Sequence, residues 1–120
     1  MLTLRLAIAS LLATSTAAFA DGFAPVTQRE IFVELVNARE LRHPMGIRLV
    51  VTPDGQITGR AMGLPVTGRW EWQDGYFCRE MEWSGTEIPF NCQLVEAKAR
   101  ERLRFTVDKG AGETATFRLQ

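Results

Sequence analysis

The sequence is poor in the residues on which metal and nucleophile chemistry usually draw: one histidine, His43, two cysteines, Cys78 and Cys92, and one tyrosine, Tyr76. His43 precedes Pro44 with no second histidine, cysteine or aspartate beside it, so no metal site is expected. A catalytic triad is not expected either, because Ser84 lies far along the chain from the only imidazole. No CxxC pair occurs, and no GxGxxG follows a strand, which removes the redox motif and the dinucleotide-binding turn. No cofactor is expected. Long apolar runs are also missing: nothing after the first 20 residues approaches 18 apolar positions, so no membrane span is expected in the mature chain. Basic and acidic residues balance at 14 each, and only Lys98 and Lys109 are lysines. That balance gives no electrostatic basis for a nucleic acid or an anionic membrane surface as partner.

What is present begins with an export signal. Arg5 is followed by the apolar run from Leu6 to Ala13, and Ala18-Phe19-Ala20 supplies the small-residue cleavage pattern before Asp21. Residues 1–20 are therefore expected to be a signal peptide, and residues 21–120 a single domain in the periplasm or secreted. The residue right after the cut is Asp21 rather than cysteine, so a lipid anchor is not expected, and the compartment permits disulfides. The remaining 100 residues carry a net charge near −1 and enough apolar positions for a modest core.

One mature segment has helical period. Thr27-Gln28-Arg29-Glu30 has the spacing of a capping box, and Ile31, Phe32, Leu35 and Val36 form an apolar stripe, which predicts a helix at about 28–37. Beyond Ala38 the period is two. Ile47, Leu49 and Val51 alternate with polar residues, as do Val66, Gly68, Trp70 and Trp72, then Leu103, Phe105 and Val107, then Ala115, Phe117 and Leu119. Turn residues join these runs into hairpins at Pro53-Asp54-Gly55, Asp74-Gly75, Ser84-Gly85-Thr86 and Asp108 to Gly112. The predicted fold is mainly β: a small antiparallel meander barrel, or a strongly curled sheet, of seven or eight strands with one N-terminal helix, lipocalin-like in architecture. Small and large inward residues, Gly59, Ala61, Gly68 and Ala115 beside Trp70 and Phe105, fit an interior packed solid with side chains rather than a ligand cavity.

Cys78 and Cys92 lie symmetrically about Gly85, opposite each other in one hairpin, and are expected to form a disulfide. The facing of the strand at 76–83 stays open. A two-residue Asp74-Gly75 loop pairs Trp72 with Phe77 and sends Cys78 outward, while Ile88, Phe90, Cys92 and Leu94 share an apolar face that points Cys92 inward. A three-residue loop turns Glu80 and Glu82 inward, where either could serve a polar site; a bulge between Cys78 and Trp83 reconciles the two patterns.

All three tryptophans, Tyr76, Phe77 and Phe90 fall between positions 70 and 90. This concentration is first a packed core. As a candidate pocket or interface it comprises Trp70, Trp72, Tyr76, Trp83 and Phe90, with Glu80 and Glu82.

The stretch Trp70-Glu71-Trp72-Gln73-Asp74-Gly75-Tyr76-Phe77-Cys78-Arg79-Glu80, with Asn91-Cys92-Gln93 and Leu103-Arg104-Phe105, resembles a family of small exported alphaproteobacterial proteins without an established activity. Chains of this appearance are often labelled dihydrodipicolinate reductase. The residues argue against that activity, since a nicotinamide-dependent reductase needs a βαβ unit with a glycine-rich turn. Gly68-Arg69-Trp70 is similar to the GxW of lipocalins but sits mid-chain. The sequence thus favours a non-catalytic module that binds an envelope protein through its strand-end loops and aromatic region, ahead of a lipocalin-like carrier of a small apolar ligand. An enzyme using Glu80 or Glu82 ranks last.

Overall fold

Among the described residues period-two alternation builds nine strands, and glycine turns set their register. A computed structural model describes Thr3 and residues 20–120. The expected signal peptide, residues 1–20, lies outside the described residues except for Thr3 and Ala20. The elements are β1 (Ala24–Val26), α1 (Arg29–Val36), β2 (Leu41–His43), β3 (Ile47–Val51), β4 (Gln56–Ala61), β5 (Leu64–Gln73), β6 (Tyr76–Trp83), β7 (Thr86–Lys98), β8 (Arg102–Thr106) and β9 (Thr114–Leu119). Each strand from β2 to β9 pairs antiparallel with its chain neighbour, and β2 pairs with β9, so eight strands close into an up-and-down barrel. Closure pairs β2 with β9, the two ends of the meander. The extra strand, β1, lies against residues 95–97 of β7, where β7 has run past the end of β6.

Several registers follow the turn chemistry as predicted. Pro53-Asp54-Gly55 pairs Val51 with Ile57, Leu49 with Gly59 and Ile47 with Ala61. Asp74-Gly75 is a two-residue turn with both φ positive, and it sets Trp72 against Phe77, Gly68 against Met81 and Val66 against Trp83. Leu103 meets Phe117 and Phe105 meets Ala115 across the loop at 107–113. The third hairpin turns on Ser84-Gly85 alone, since Trp83 pairs with Thr86, so the expected three-residue loop is corrected to two. Met62-Gly63 makes a further two-residue turn of the same kind.

The bulge falls inside the expected window and resolves the cysteine conflict. Arg79 pairs with Asn91 and Met81 with Ile88, so Pro89 and Phe90 on β7 face Glu80 alone on β6. The extra residue reverses the facing of β7. Ile88 shares the inner face with Met81, but beyond the bulge Gln93, Val95 and Ala97 point inward, and Phe90, Cys92 and Leu94 point outward. The expectation of one continuous inward face over Ile88, Phe90, Cys92 and Leu94 is thereby corrected. Cys78 and Cys92 are bonded on the outer face, with Cα atoms 3.9 Å apart.

The helix seals one barrel end. Its buried stripe is Phe32, Leu35 and Val36, while Ile31, expected in that stripe, is 45% exposed. The helix starts one residue later than the capping box implied. Gln28 occupies the cap position without a side-chain bond, and the Thr27 carbonyl instead accepts the Trp72 indole N–H at 3.1 Å. Arg29 donates to the Pro53 carbonyl at 2.7 Å, which ties the helix to the β3–β4 turn. Ahead of β1, Asp21 accepts from Arg104 at 2.7 Å, and that guanidinium holds its carboxyl below the ordinary range.

Gly59 shows how closely β3 and β4 approach. A Cβ built there would sit 2.0 Å from the Arg48 carbonyl oxygen, at a φ of +152° that L side chains avoid. Gly59→Ala is expected to cost about 1–3 kcal/mol through overpacking and strain, read as a lower urea midpoint. An unchanged midpoint would mean that the strands separate without penalty.

Candidate functional site

The barrel interior divides into two parts. Beneath α1 it is packed solid, as expected: the Phe32 ring lies 5.0–6.3 Å, centroid to centroid, from those of Trp70, Trp72, Phe77 and Phe105. Beyond that aromatic layer the packing stops. A cavity of about 260 Å³ follows, walled by Leu41, Leu49, Ile57, Phe77, Phe105 and Phe117 among other apolar side chains, so the expectation of an interior filled throughout does not hold. Chain alternation places the turns after β2, β4, β6 and β8 at the end opposite α1. The cavity reaches the surface on that side, at Val107, Glu113 and Thr114. There the β7–β8 ladder has ended at Leu94 and Thr106, leaving residues 86–93 of β7 without a β8 partner.

Two polar side chains enter this apolar lumen. Arg79 and Gln93 are each only 8% exposed, and both line the cavity. Arg79 follows Phe77 on the inner face of β6; Gln93 pairs with Phe77 across the ladder. The two polar groups are therefore diagonal neighbours. The Arg79 Nη1 donates to the Pro89 carbonyl at 2.7 Å. Pro89 belongs to the bulge, so the device that reverses β7 also supplies the carbonyl that anchors the guanidinium.

No carboxylate stands within ion-pair distance of Arg79 among the described residues. Burial pushes its pKa down, yet a guanidinium stays protonated. Glu113, at the rim of the same cavity, makes no ion pair with it. The Arg79 side chain makes no other hydrogen bond, and the Gln93 side-chain amide makes none, to the described residues. No side-chain nitrogen or oxygen among those residues is sealed away without a partner, so these unbonded groups face open cavity space. A cation held by one carbonyl in an apolar enclosure costs desolvation energy that the protein does not recover internally.

The residues singled out from sequence do not converge on one site: Trp70 and Trp72 share the layer under α1, and Glu80 lies beside Phe90 on the outer face. In that layer the Trp70 indole N–H donates to the Thr52 carbonyl at 2.9 Å. Trp83 donates to the Ala61 carbonyl at 2.9 Å, near the open end. All three indole N–H groups are thus used within the fold. Tyr76 lies on the outer face with the Lys109 Nζ 5.4 Å from its ring centroid. Phe90 is 53% exposed at the bulge. Glu80 and Glu82, whose facing sequence left open, are exposed on the outer face; Glu80 accepts from Arg69 at 2.8 Å. Sequence reasoning missed Arg79 and Gln93. The signal was available: the two-residue Asp74-Gly75 register that turns Phe77 and Met81 inward turns Arg79 inward with them.

Among the described residues no helix is long and apolar enough to cross a membrane. No family model matches this chain, and no curated protein or solved structure matches it either.

Proposed function

We propose that this protein is an exported carrier that takes a small, largely apolar molecule into the barrel lumen. The cavity of about 260 Å³ carries this reading, because its walls are apolar and one end opens to solvent while α1 closes the other. The sequence-based preference for a partner-binding surface gives way to the carrier reading on that observation. Export rests on the signal pattern of residues 1–20, with which the disulfide is compatible. A second feature supports delivery or uptake at the open end. Met45 and Met62, on turns joined by the Met62 N–H donating to the Gly46 carbonyl at 3.0 Å, and Leu64 at the start of β5 are exposed apolar side chains at that end of the barrel, outside the cavity lining.

Titrating the mature protein with naphthalene, a neutral fluorophore of ten non-hydrogen atoms, tests the lumen. Saturable binding at one site per chain is expected. Ala115→Leu, which places three more carbons in the cavity wall, is expected to weaken that binding at least ten-fold while the far-ultraviolet spectrum stays unchanged. Absence of saturable binding, or equal binding by the variant, would overturn the carrier reading.

A further inference from the structure

We infer that the lumen is built for a ligand with a carboxylate head and a short alkyl tail, the carboxylate being received by Arg79. The inference rests on the carrier reading above and adds the ligand's charge and length.

A carrier for neutral hydrocarbon gains nothing from a buried guanidinium, since an apolar side chain of similar volume would fill the wall without the desolvation cost. Here the guanidinium is 8% exposed and held by one bond, from Nη1 to the Pro89 carbonyl. Its remaining N–H donors face the cavity. A planar fork of donors matches the two oxygens of a carboxylate, and between largely apolar walls a charge-assisted pair is stronger than in bulk water. Gln93 supplies an amide N–H beside it for a second contact to the same oxygens.

The cavity also bounds the length, since its volume limits how much of a tail the walls can cover. A volume of about 260 Å³ holds roughly nine groups of the size of a water molecule, each occupying about 30 Å³ of liquid. Octanoate has ten non-hydrogen atoms, two of them the oxygens that Arg79 and Gln93 would receive. The wall beyond the head is Leu41, Leu49, Ile57 and Phe117, with no further charge until Glu113 at the rim. A single head with a plain alkyl tail fits that distribution, and a ligand with a second anionic group would meet Glu113.

The test compares octanoate, 1-octanol and octylammonium by calorimetry on the disulfide-bonded mature chain at neutral pH. Octanoate is expected to bind at least ten-fold more tightly than octanol, and octylammonium most weakly of the three. Arg79→Met is expected to erase the preference for octanoate while retaining octanol binding, and to melt no lower than the parent protein, since it removes an unpaired buried charge. Arg79→Lys keeps the charge without the fork, and should retain a preference reduced several-fold; it also serves if the methionine variant fails to fold. Equal binding of octanoate and octanol by the parent protein would overturn the carboxylate assignment and leave the carrier reading standing. Binding of none of the three would overturn both. Glu113→Gln is expected to change octanoate affinity less than three-fold. A rise beyond ten-fold would show that Glu113 swings in as the internal partner of Arg79, and would overturn the assignment.

Discussion

Phe32→Ala is expected to destabilise the protein by about 3–5 kcal/mol, the largest effect of any single side-chain truncation in this fold. The residue is fully buried and is the one helical side chain that touches four aromatic rings, those of Trp70, Trp72, Phe77 and Phe105. Truncation removes the ring and leaves a cavity that rigid strands on all sides cannot collapse. A domain of about 100 residues loses about 4–8 °C of melting temperature per kcal/mol, so the midpoint should fall by some 12–40 °C. The variant also discriminates between two roles of α1. If the helix is a lid that holds the barrel together, emission from Trp70 and Trp72 should shift to the red at temperatures where the strands persist by circular dichroism. If instead the barrel is self-sufficient, the cost will fall below about 1 kcal/mol and the emission will not move. Ile31→Ala makes the control, since that side chain is 45% exposed at the margin of the buried stripe and should cost far less, about 1 kcal/mol or below.

The barrel was largely legible in the sequence because its turns carry strong local chemistry. Asp74-Gly75 and Pro53-Asp54-Gly55 each admit few backbone geometries, and each fixes a whole register at once. The meander then closes because one face of every strand is apolar. Met62-Gly63 could not be read in the same way: Met62 adopts a φ of +51°, a conformation that its side chain does not favour and that the pairing of β4 with β5 imposes. Strand β1 was illegible for a related reason. Its three residues include Pro25, and they pair only where β7 has outrun β6.

The site was harder to read than the fold, and one bulge explains much of the difficulty. Alternation over Ile88, Phe90, Cys92 and Leu94 looks like a single inward stripe, but the extra residue at Pro89–Phe90 reverses it midway. Outward Leu94 is then covered by the turn at 108–110, where Gly110 approaches its Cδ2 closely enough that a Cβ would lie at 3.2 Å. Gln93 moves to the lumen by the same reversal. Arg79 escaped notice for a chemical reason: an arginine in an apolar alternation is read as a surface residue, because burial without a partner is costly. It is that cost which makes the residue informative once the structure places it inside.

Removing the disulfide is expected to cost about 3 kcal/mol, the chain-entropy value for a closed loop of about 15 residues, and to lower the melting temperature by some 12–24 °C. The double variant Cys78→Ser with Cys92→Ser, compared with the parent protein with and without reductant, separates loss of the bond from loss of the sulfur atoms. A second consequence follows from where the bond sits. Cys78 and Cys92 are the last opposed pair but one before the bulge, since Arg79 and Asn91 come next and the ladder resumes only at Met81 and Ile88. The bridge therefore pins β6 to β7 where hydrogen bonding is interrupted, one residue from Arg79. Without it, strand slippage at the bulge becomes easier, and the Pro89 carbonyl no longer holds a fixed position against the guanidinium. Under conditions where both forms are folded, the reduced protein should bind octanoate more weakly relative to octanol than the oxidised protein does. A loss of stability below about 1 kcal/mol would show that the ladder holds its register without the covalent link. An unchanged octanoate preference would confine the bridge to global stability and leave Arg79 positioned by its strand alone.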